Sequence, residues 1–225
     1  MRTQLRTGGQ LLTTPRWRQG TVYIRGKPRV GLVGDEVEER LRVGMVFQSG
    51  AMFDSLTVGE NVGFTLYEHS DLPEETIRQL VANSLEKVGL SGVEDRYPSM
   101  LSGGMKKRVA LARAIIADPT TLSGVEEVVM YDEPTAGLDP IASTVVEDLM
   151  RSLHNPDAKR EGGGIASYIV VTHQHSTIRR ATDRLVFLHE GKAVWQGSAA
   201  EFDTSDEPIV RQFARGELNG PIVYN

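Results

Sequence analysis

An apolar run that ends in two adjacent carboxylates limits the possible folds more than any other stretch of this sequence. The run is VVMYDEP, residues 128–134. Its apolar, β-branched character predicts a buried parallel strand that delivers Asp132 and Glu133 at its carboxyl end. Alone, the pair also fits two solvated acids at a surface strand end. Burying both is unfavourable unless a cation or a reaction uses them, so Asp132 suits Mg²⁺ and Glu133 suits a general base acting toward a phosphate.

Composition excludes several classes of function. The 225 residues are 40% hydrophobic and 24% charged, which fits one globular domain, and the net charge of −5 gives no overall positive field for nucleic acid. The chain has no cysteine, which excludes disulfides, thiolate metal sites and cysteine nucleophiles. No apolar run approaches the roughly 20 residues that cross a bilayer, so we expect no transmembrane segment and any membrane role through a partner chain.

From residue 20 onward, short β-branched runs alternate with longer helical ones, which predicts an α/β fold. Predicted strands cover residues 21–25, 42–47, 127–131 and 166–172, and a hairpin pairs 185–189 with 193–196. Predicted helices cover residues 71–88, with Asp71 and Glu74 as a capping box, then 104–117 and 141–153. Residues 155–164 predict a surface loop. Residues 1–19 carry four arginines and no acid and predict a disordered or replaced leader, because they lack the apolar core of a signal peptide.

A second motif, LSGGM at residues 101–105, precedes the 104–117 helix. Two glycines allow close approach to the backbone, and the first amides of a helix attract an anion, with the Ser102 hydroxyl as a further donor. The motif therefore predicts an anion cradle. In isolation it also fits an ordinary serine helix cap followed by flexible glycines.

Together these motifs resemble a known family, the ATP-binding cassette (ABC) ATPases. Gln48 after a strand, LSGGM, MYDEPTAGLDP (130–140) and VVTH (170–173) occur in the order of the family's Q-loop, signature, Walker B with D-loop, and switch histidine. The resemblance extends from about residue 20 to the C-terminus. It implies a P-loop NTPase nucleotide-binding domain over residues 20–225, with a mostly parallel sheet and a helical subdomain at roughly 50–117.

Residue by residue, the resemblance implies functional roles. Gln48 and Asp132 would support Mg²⁺, Glu133 would be the catalytic base, and His173 would contact the γ-phosphate of ATP. The remaining nucleotide-contacting positions would be Leu101, Ser102, Gly103, Gly104 and Asp139, the last coupling paired sites. His173 and His175 also have the spacing of a metal pair, but no third ligand lies nearby in the sequence.

More detailed similarity narrows the family. The segments QSGAMF (48–53), NVGFTLYEHSDLP (61–73), IASTVVEDL (141–149) and VVTHQHSTI (170–178) resemble Mla-type and chloroplast or cyanobacterial trigalactosyldiacylglycerol-type lipid-transport ATPases. This likeness implies a peripheral subunit on the cytoplasmic or stromal face of a membrane, moving polar lipid with ATP and Mg²⁺. The implied partners are a second ATPase subunit, a permease and a lipid substrate-binding protein. Residues 51–68 would form the groove for the permease, or else be plain core packing.

One family element is absent from the sequence. No G-x-x-x-x-G-K-[ST] phosphate loop (Walker A) occurs, and the nearest stretch, GTVYIRGK at 20–27, has five residues between its glycines and is followed by Pro28. We expect Gly26 and Lys27 to lie in a hairpin turn. Relative to the family the domain is then N-terminally incomplete, through a truncated or frameshifted gene model or a real loss. We expect open strand edges, reduced stability and poor hydrolysis by the chain alone; the alternative is a non-enzymatic subunit that completes a partner's ATP site.

Overall fold

The computed structural model describes residues 6–7, 10–11, 23–24, 26–28, 41–120, 125–154 and 165–223. The chain divides into two compact units, Met1–Glu39 and Arg40–Asn225. In the first unit, β1 (Arg6–Thr7) pairs with β2 (Gln10–Leu11), and β3 (Tyr23–Ile24) pairs with β4 (Lys27–Pro28), each antiparallel.

Gly26 lies in the turn between β3 and β4 with φ of 78°. A positive φ favours glycine in such a turn, so the predicted hairpin at Gly26 is confirmed. The rest of the predicted 21–25 strand, the leader outside β1 and β2, and the 155–164 loop lie outside the described residues.

A parallel sheet lies at the centre of the second unit. Its strands are β5 (Leu41–Val46), β6 (Glu126–Asp132) and β7 (Ile165–Val171), in the order β5-β6-β7. All three predicted strands are confirmed within a residue or two at each end. The carboxyl ends of β5 and β6 meet at one edge, because Val46 pairs with Tyr131.

Among the described residues, helices pack on only one face of this sheet. The register places Met45, Met130 and Ile169 in one row across the face that carries no described helix, where Met45 is 46% and Ile169 52% exposed. The apolar run 166–172 predicts a buried strand, and that prediction of burial is wrong. Exposed and covered residues alternate along β7, since the described helices pack on the other face. In the described part of the chain β7 has one strand partner, β6, and a single bridge from His154.

Helices cover the face of the sheet that lies away from Met45 and Ile169, and some of them extend beyond it. They are α1 (Val58–His69), α2 (Glu74–Lys87), α3 (Gly103–Ile115), α4 (Pro140–Leu153), α5 (His175–Ala181), α6 (Ala199–Thr204) and α7 (Pro208–Arg215), with a 3₁₀ turn at Pro98–Met100. The first three pack on one another, and α3 packs on β5. A Cβ at Gly44 would lie 2.9 Å from the Ala114 carbonyl oxygen, so glycine allows this close approach. No helix among the described residues is long and apolar enough to span a membrane.

The predicted capping box at Asp71 is wrong. Helix α2 begins at Glu74 with Pro73 at the N-cap and without a side-chain cap bond. A proline disfavours helical backbone in the residue before it, which keeps Leu72 and Asp71 outside the helix. The structure instead places a capping box at Thr57 and Glu60, which starts the unpredicted helix α1.

The C-terminal part forms a separate small core. As predicted, β8 (Arg184–His189) and β9 (Lys192–Ser198) form an antiparallel hairpin around Glu190 and Gly191, both at positive φ. Helices α6 and α7, which the sequence patterns did not reveal, pack with this hairpin around Phe202 and Val210.

Candidate functional site

Glu133 has strained backbone geometry immediately beyond the end of β6. Its φ is 45°, which costs a non-glycine residue about 1–2 kcal/mol. Its backbone N–H donates to the Val171 carbonyl at 2.9 Å, so the last residue of β7 holds the turn. The Glu133 side chain is thereby aimed at the residues that follow β7.

The Glu133 carboxylate and the His173 imidazole form a pair. Oε1 of Glu133 lies 2.6 Å from Nδ1 of His173 and accepts the His173 backbone N–H at 3.1 Å, while Oε2 accepts from the Thr172 hydroxyl at 3.3 Å. The Glu133 side chain is 14% exposed and that of His173 72% exposed. The acid is therefore held inside and the ring faces outward.

Asp132 and Gln48 occupy the same edge of the sheet. Asp132 is half-buried, and its carboxylate accepts no hydrogen bond from the described residues, so both oxygens are available to a hard cation such as Mg²⁺. Gln48 follows β5 and is exposed. These ligand types fit Mg²⁺ held mainly by water and phosphate oxygens; the described residues contain no group of three or more histidines, cysteines or acids arranged to hold a metal ion by themselves.

Lys107 of α3 links Gln48 to Glu133. Its Nζ donates to the Gln48 carbonyl and, at 3.1 Å, to the Glu133 carbonyl, and the residue is only 8% exposed. Burial lowers the pKa of Lys107, while the Glu133 and Asp132 carboxylates act in the opposite direction. The Lys107 side chain thus links the backbone at Gln48 to the backbone at Glu133.

The signature residues form a second group. Ser102 caps α3, with its hydroxyl accepting the Met105 N–H at 3.3 Å, and Asp139 caps α4, with Oδ1 accepting from Ile141 and Ala142. Both line a cleft of about 270 Å³. The cap bonds use one Asp139 oxygen, so Oδ2 can contact another molecule without uncapping α4.

The two glycines of the signature face this cleft. A Cβ at Gly103 would lie 3.5 Å from the Leu138 side chain, and one at Gly104 would lie 3.6 Å from the Ala142 Cβ. These are ordinary contacts, so this chain does not itself require glycine at either position. Glycine there fits close approach by an outside group. The described lining of the cleft includes Ser102, Gly103, Gly104 and Asp139, but not Glu133 or His173.

A buried polar network joins the segments after Glu133, Asp139 and His173. The Thr135 hydroxyl lies 3.0 Å from that of Thr177, which donates to Oε1 of Glu147 at 2.8 Å, and the Glu147 side chain is fully buried. The Thr135 hydroxyl also donates to Oε1 of Gln174 at 2.8 Å. Oε2 of Glu147 pairs with Arg180 Nε at 3.2 Å without hydrogen-bond geometry.

The sequence analysis proposed Gln48, Ser102, Asp132, Glu133 and His173 as site residues but missed the residues that contact them, such as Lys107. Lys107 had a recognisable signal, since a charged residue lies at helical spacing from Leu111 and Ala114 on the buried face of α3. The partners within the threonine network have no comparable signal, because they lie 30 to 42 positions apart.

A parallel sheet that ends in an acid pair, beside a glycine cradle opening a helix, defines a nucleotide-binding α/β domain. The chain belongs to the ABC transporter family, whose sequence model matches residues 10–136. The expected fold, an ABC-type nucleotide-binding domain, is confirmed.

Two similar proteins carry lipid-related names. The chain is 64% identical over 208 residues to the chloroplastic protein TRIGALACTOSYLDIACYLGLYCEROL 3 of Arabidopsis thaliana, covering 92% of this chain and 60% of that protein. It is 38% identical to the intermembrane phospholipid transport system ATP-binding protein MlaF of Haemophilus influenzae, covering 96% of this chain and 76% of that one. The resemblance to Mla-type and trigalactosyldiacylglycerol-type ATPases is confirmed.

Solved ABC cassettes share the fold. A dimeric, post-hydrolysis structure of the cassette MJ0796 bound to ADP and Pi matches with a TM-score of 0.63 and 26% identity, covering 81% of this chain and 74% of that chain. The cbiO1 structure from Clostridium perfringens, part of the transporter complex cbiONQ, matches with a TM-score of 0.65 and 28% identity, covering 87% and 72%.

Proposed function

We propose that this chain is the ATP-binding subunit of an ABC transporter that moves polar lipid between membranes. The observation that supports this most directly is the separation of two half-sites on one chain. The acid pair with His173 lies at the sheet edge, and Ser102 with its glycines lies in another cleft. Two such chains, or this chain and a partner, would bring complementary halves together around Mg·ATP.

Each half-site would have its own role in the reaction. Mg·ATP, when bound, supplies the phosphoryl group that water attacks. Glu133 would accept a proton from that water. Asp132 and Gln48 would hold Mg²⁺, while His173 would contact the γ-phosphate from the exposed side. Ser102, Gly103 and Gly104 would bind the phosphates held by the partner subunit.

The assembly that we propose follows from the same relatives. Residues 20–225 form the ATPase domain, with its helical subdomain at roughly 50–117. A second ATPase subunit, a permease and a lipid-binding protein complete the transporter, and this chain attaches to the permease on the cytoplasmic or stromal side. The names of the Arabidopsis and Haemophilus relatives support lipid as the cargo.

A second function is favoured by one specific observation. The sequence contains no G-x-x-x-x-G-K-[ST] loop, and the sheet face beside the acid pair is uncovered at Ile169 and Val171. Without a phosphate loop, this chain's Glu133 has no firmly held triphosphate to act on. The chain would then be a non-enzymatic subunit that supplies Ser102 and its glycines to a partner's ATP site.

Two substitutions distinguish these functions in a complex with a loop-bearing ABC subunit. If the chain is an active ATPase, Glu133→Gln lowers the ATP hydrolysis rate by a factor of about 10² to 10⁴. If it only completes the partner's site, Glu133→Gln changes nothing, whereas Ser102→Ala lowers hydrolysis. Glu75→Gln, at an exposed position of α2, is the control. Unchanged hydrolysis in both variants, with the complex intact, would overturn both functions.

A further inference from the structure

A carboxylate lies fully buried between the helices that follow Asp139 and His173. It belongs to Glu147 on α4, the helix that Asp139 caps, and its side chain is 0% exposed. Burying a charge is unfavourable, and apolar side chains of similar volume can often replace a buried ion pair without loss of stability. Stability alone is therefore a weak reason for an acid at this position.

Both oxygens of the Glu147 carboxylate contact α5. Oε1 accepts the Thr177 hydroxyl at 2.8 Å, and Oε2 lies 3.2 Å from Nε of Arg180. The Arg180 side chain is 46% exposed and also donates from Nη2 to the Asp148 carboxylate at 2.6 Å. The charge of Glu147 is thus balanced by an arginine at the protein surface, while its hydrogen-bond donor, Thr177, lies inside.

Thr177 extends this contact to the segment that follows β6. Its hydroxyl lies 3.0 Å from the hydroxyl of Thr135, which donates to Oε1 of Gln174 at 2.8 Å. The two threonines are both 0% exposed. The threonine network, made of Thr135, Glu147, Gln174 and Thr177, therefore joins α4, α5 and the turn after β6 through polar contacts.

The network holds the same two segments that meet in the proposed catalytic pair. Thr135 lies two positions after Glu133, and Gln174 directly follows His173. Nδ1 of His173 and Oε1 of Glu133 are 2.6 Å apart, and a shift of about 1 Å would take them beyond hydrogen-bond distance. Hydrogen bonds are directional, so the network favours one relative placement of the segments, whereas apolar packing would tolerate small shifts.

We infer that Glu147 is a positioning residue, which holds the His173 imidazole against the Glu133 carboxylate through Thr177 and Thr135. This inference rests on the proposed function, in which Glu133 and His173 act on ATP. It adds a residue that is fully buried and does not line the Ser102 cleft, yet sets the geometry of the pair that acts.

Amide hydrogen exchange on the full chain tests this role without ATP. The His173 amide donates to Oε1 of Glu133, and the Glu133 amide donates to the Val171 carbonyl, so both amides report on the contact. Thr177→Val interrupts the network without changing side-chain size, and we expect both amides to exchange about fivefold faster. Thr177→Ser keeps the hydroxyl and should leave both exchange rates at about the wild-type value.

Thr182→Val is the matched control for the loss of a threonine hydroxyl. Thr182 caps the C-terminus of α5 and donates its hydroxyl to the Ile178 carbonyl, outside the network. This variant should leave exchange at His173 and Glu133 unchanged. Equal exchange of these two amides in Thr177→Val and Thr182→Val would overturn the inference.

A triple variant separates positioning from stability. Thr135→Val, Glu147→Met and Thr177→Val together give every buried member an apolar side chain of similar size, so the melting temperature should stay within about 5 °C of wild type or rise. The His173 and Glu133 amides should still exchange faster, with exchange in α1 and α2 unchanged. Wild-type exchange at both amides would overturn the inference. If the triple variant does not fold, the comparison of Thr177→Val with Thr177→Ser decides.

The assembled transporter gives the kinetic readout. With a loop-bearing ABC subunit, Thr177→Val should lower kcat for ATP hydrolysis at least about threefold and leave the KM for Mg·ATP within about twofold, because the network acts on the orientation of Glu133 and His173. Thr177→Ser should retain the wild-type kcat. A loss through KM alone would contradict positioning, as would an unchanged kcat in Thr177→Val where Glu133→Gln abolishes hydrolysis. A wild-type complex that fails to hydrolyse ATP would instead refute the proposed function, while the exchange rates still decide the role of Glu147.

Discussion

Nδ1 of His173 lies 2.6 Å from Oε1 of Glu133, so a hydrogen bond joins the residue that follows β6 to the segment that follows β7. Since an ionised carboxylate only accepts, the proton lies on Nδ1. A neutral His173 then has a bare Nε2, which cannot donate to phosphate. The proposed contact between His173 and a γ-phosphate would therefore require release of Nδ1 from Glu133.

Amide isosteres separate the two nitrogens of His173. His173→Asn replaces Nδ1 and keeps the contact with Glu133, whereas His173→Gln reaches the position of Nε2. If the phosphate contact matters more, the glutamine variant should retain at least tenfold more ATP hydrolysis than the asparagine variant in the transporter. Greater activity of the asparagine variant would show that orienting Glu133 is the main role of His173.

The signature glycines should be dispensable for folding and necessary for function. Gly103→Ala and Gly104→Ala place a Cβ 3.5 Å and 3.6 Å from the nearest side-chain atoms, and alanine is favoured over glycine in a helix by about 1 kcal/mol. We expect an unchanged or higher melting temperature, together with loss of ATP hydrolysis in the complex. A Gly89→Ala variant, at φ of 66°, is the contrasting case and should lose stability. A wild-type rate of ATP hydrolysis in both Gly103→Ala and Gly104→Ala would refute the proposal that these glycines bind phosphate.

The threonine network should contribute to stability as a unit. Thr177→Val removes the donor to buried Glu147 without changing side-chain shape, and we expect a loss of about 1–3 kcal/mol in the free energy of unfolding. The loss in the free energy of unfolding is measured by urea unfolding of Thr177→Val and the wild-type protein. In the double variant Thr177→Val, Glu147→Gln, the loss of stability should differ from the sum of the two single losses by at least about 0.5 kcal/mol. A double loss equal to that sum would contradict a shared network.

Glu127 should make stability depend on pH. Burial raises the pKa of Glu127 above its usual 4.5, although Arg42, 3.0 Å away, and Lys87 act against the shift. Above pH 4.5 the unfolded chain releases this proton before the folded chain does, so rising pH lowers the free energy of unfolding until the folded carboxyl also ionises.

The Glu127→Gln variant isolates this effect. Its free energy of unfolding relative to wild type should rise with pH from 4.5 upward and then level off. Glu75→Gln, which removes an exposed carboxylate, controls for the change in net charge. A difference between Glu127→Gln and wild type that stays constant with pH would contradict the buried-acid interpretation.

The strand and the helix that carry the motifs were predictable because each has a local sequence pattern next to residues with recognisable chemistry. The strand ending at Asp132 and the helix opening at Ser102 were found from apolar runs, turn residues and caps. Helix α1 was not predicted, although Thr57 and Glu60 have the spacing of a capping box; Asp71 and Glu74 have the same spacing but form no cap. The deciding difference, Pro73 just before Glu74, was also in the sequence.

Long-range contacts were not predictable in this way. Nothing local indicates that Arg113 will reach Gly50, 63 positions away, or that Thr135 and Thr177 will meet. These contacts depend on how α3 and α5 lie against the sheet, which tertiary packing decides. Sequence reasoning could propose a role for Glu133, whereas the residues that contact it required coordinates.

The uncovered face of β7 has a consequence for how this protein survives in a cell. Val171 is 58% exposed beside the exposed Ile169, and such apolar strands are what chaperones and proteases recognise in unfinished chains. Any subunit that covers this face prolongs the protein's lifetime by mass action. Cellular abundance should accordingly follow the supply of that subunit more closely than the rate at which the protein is translated.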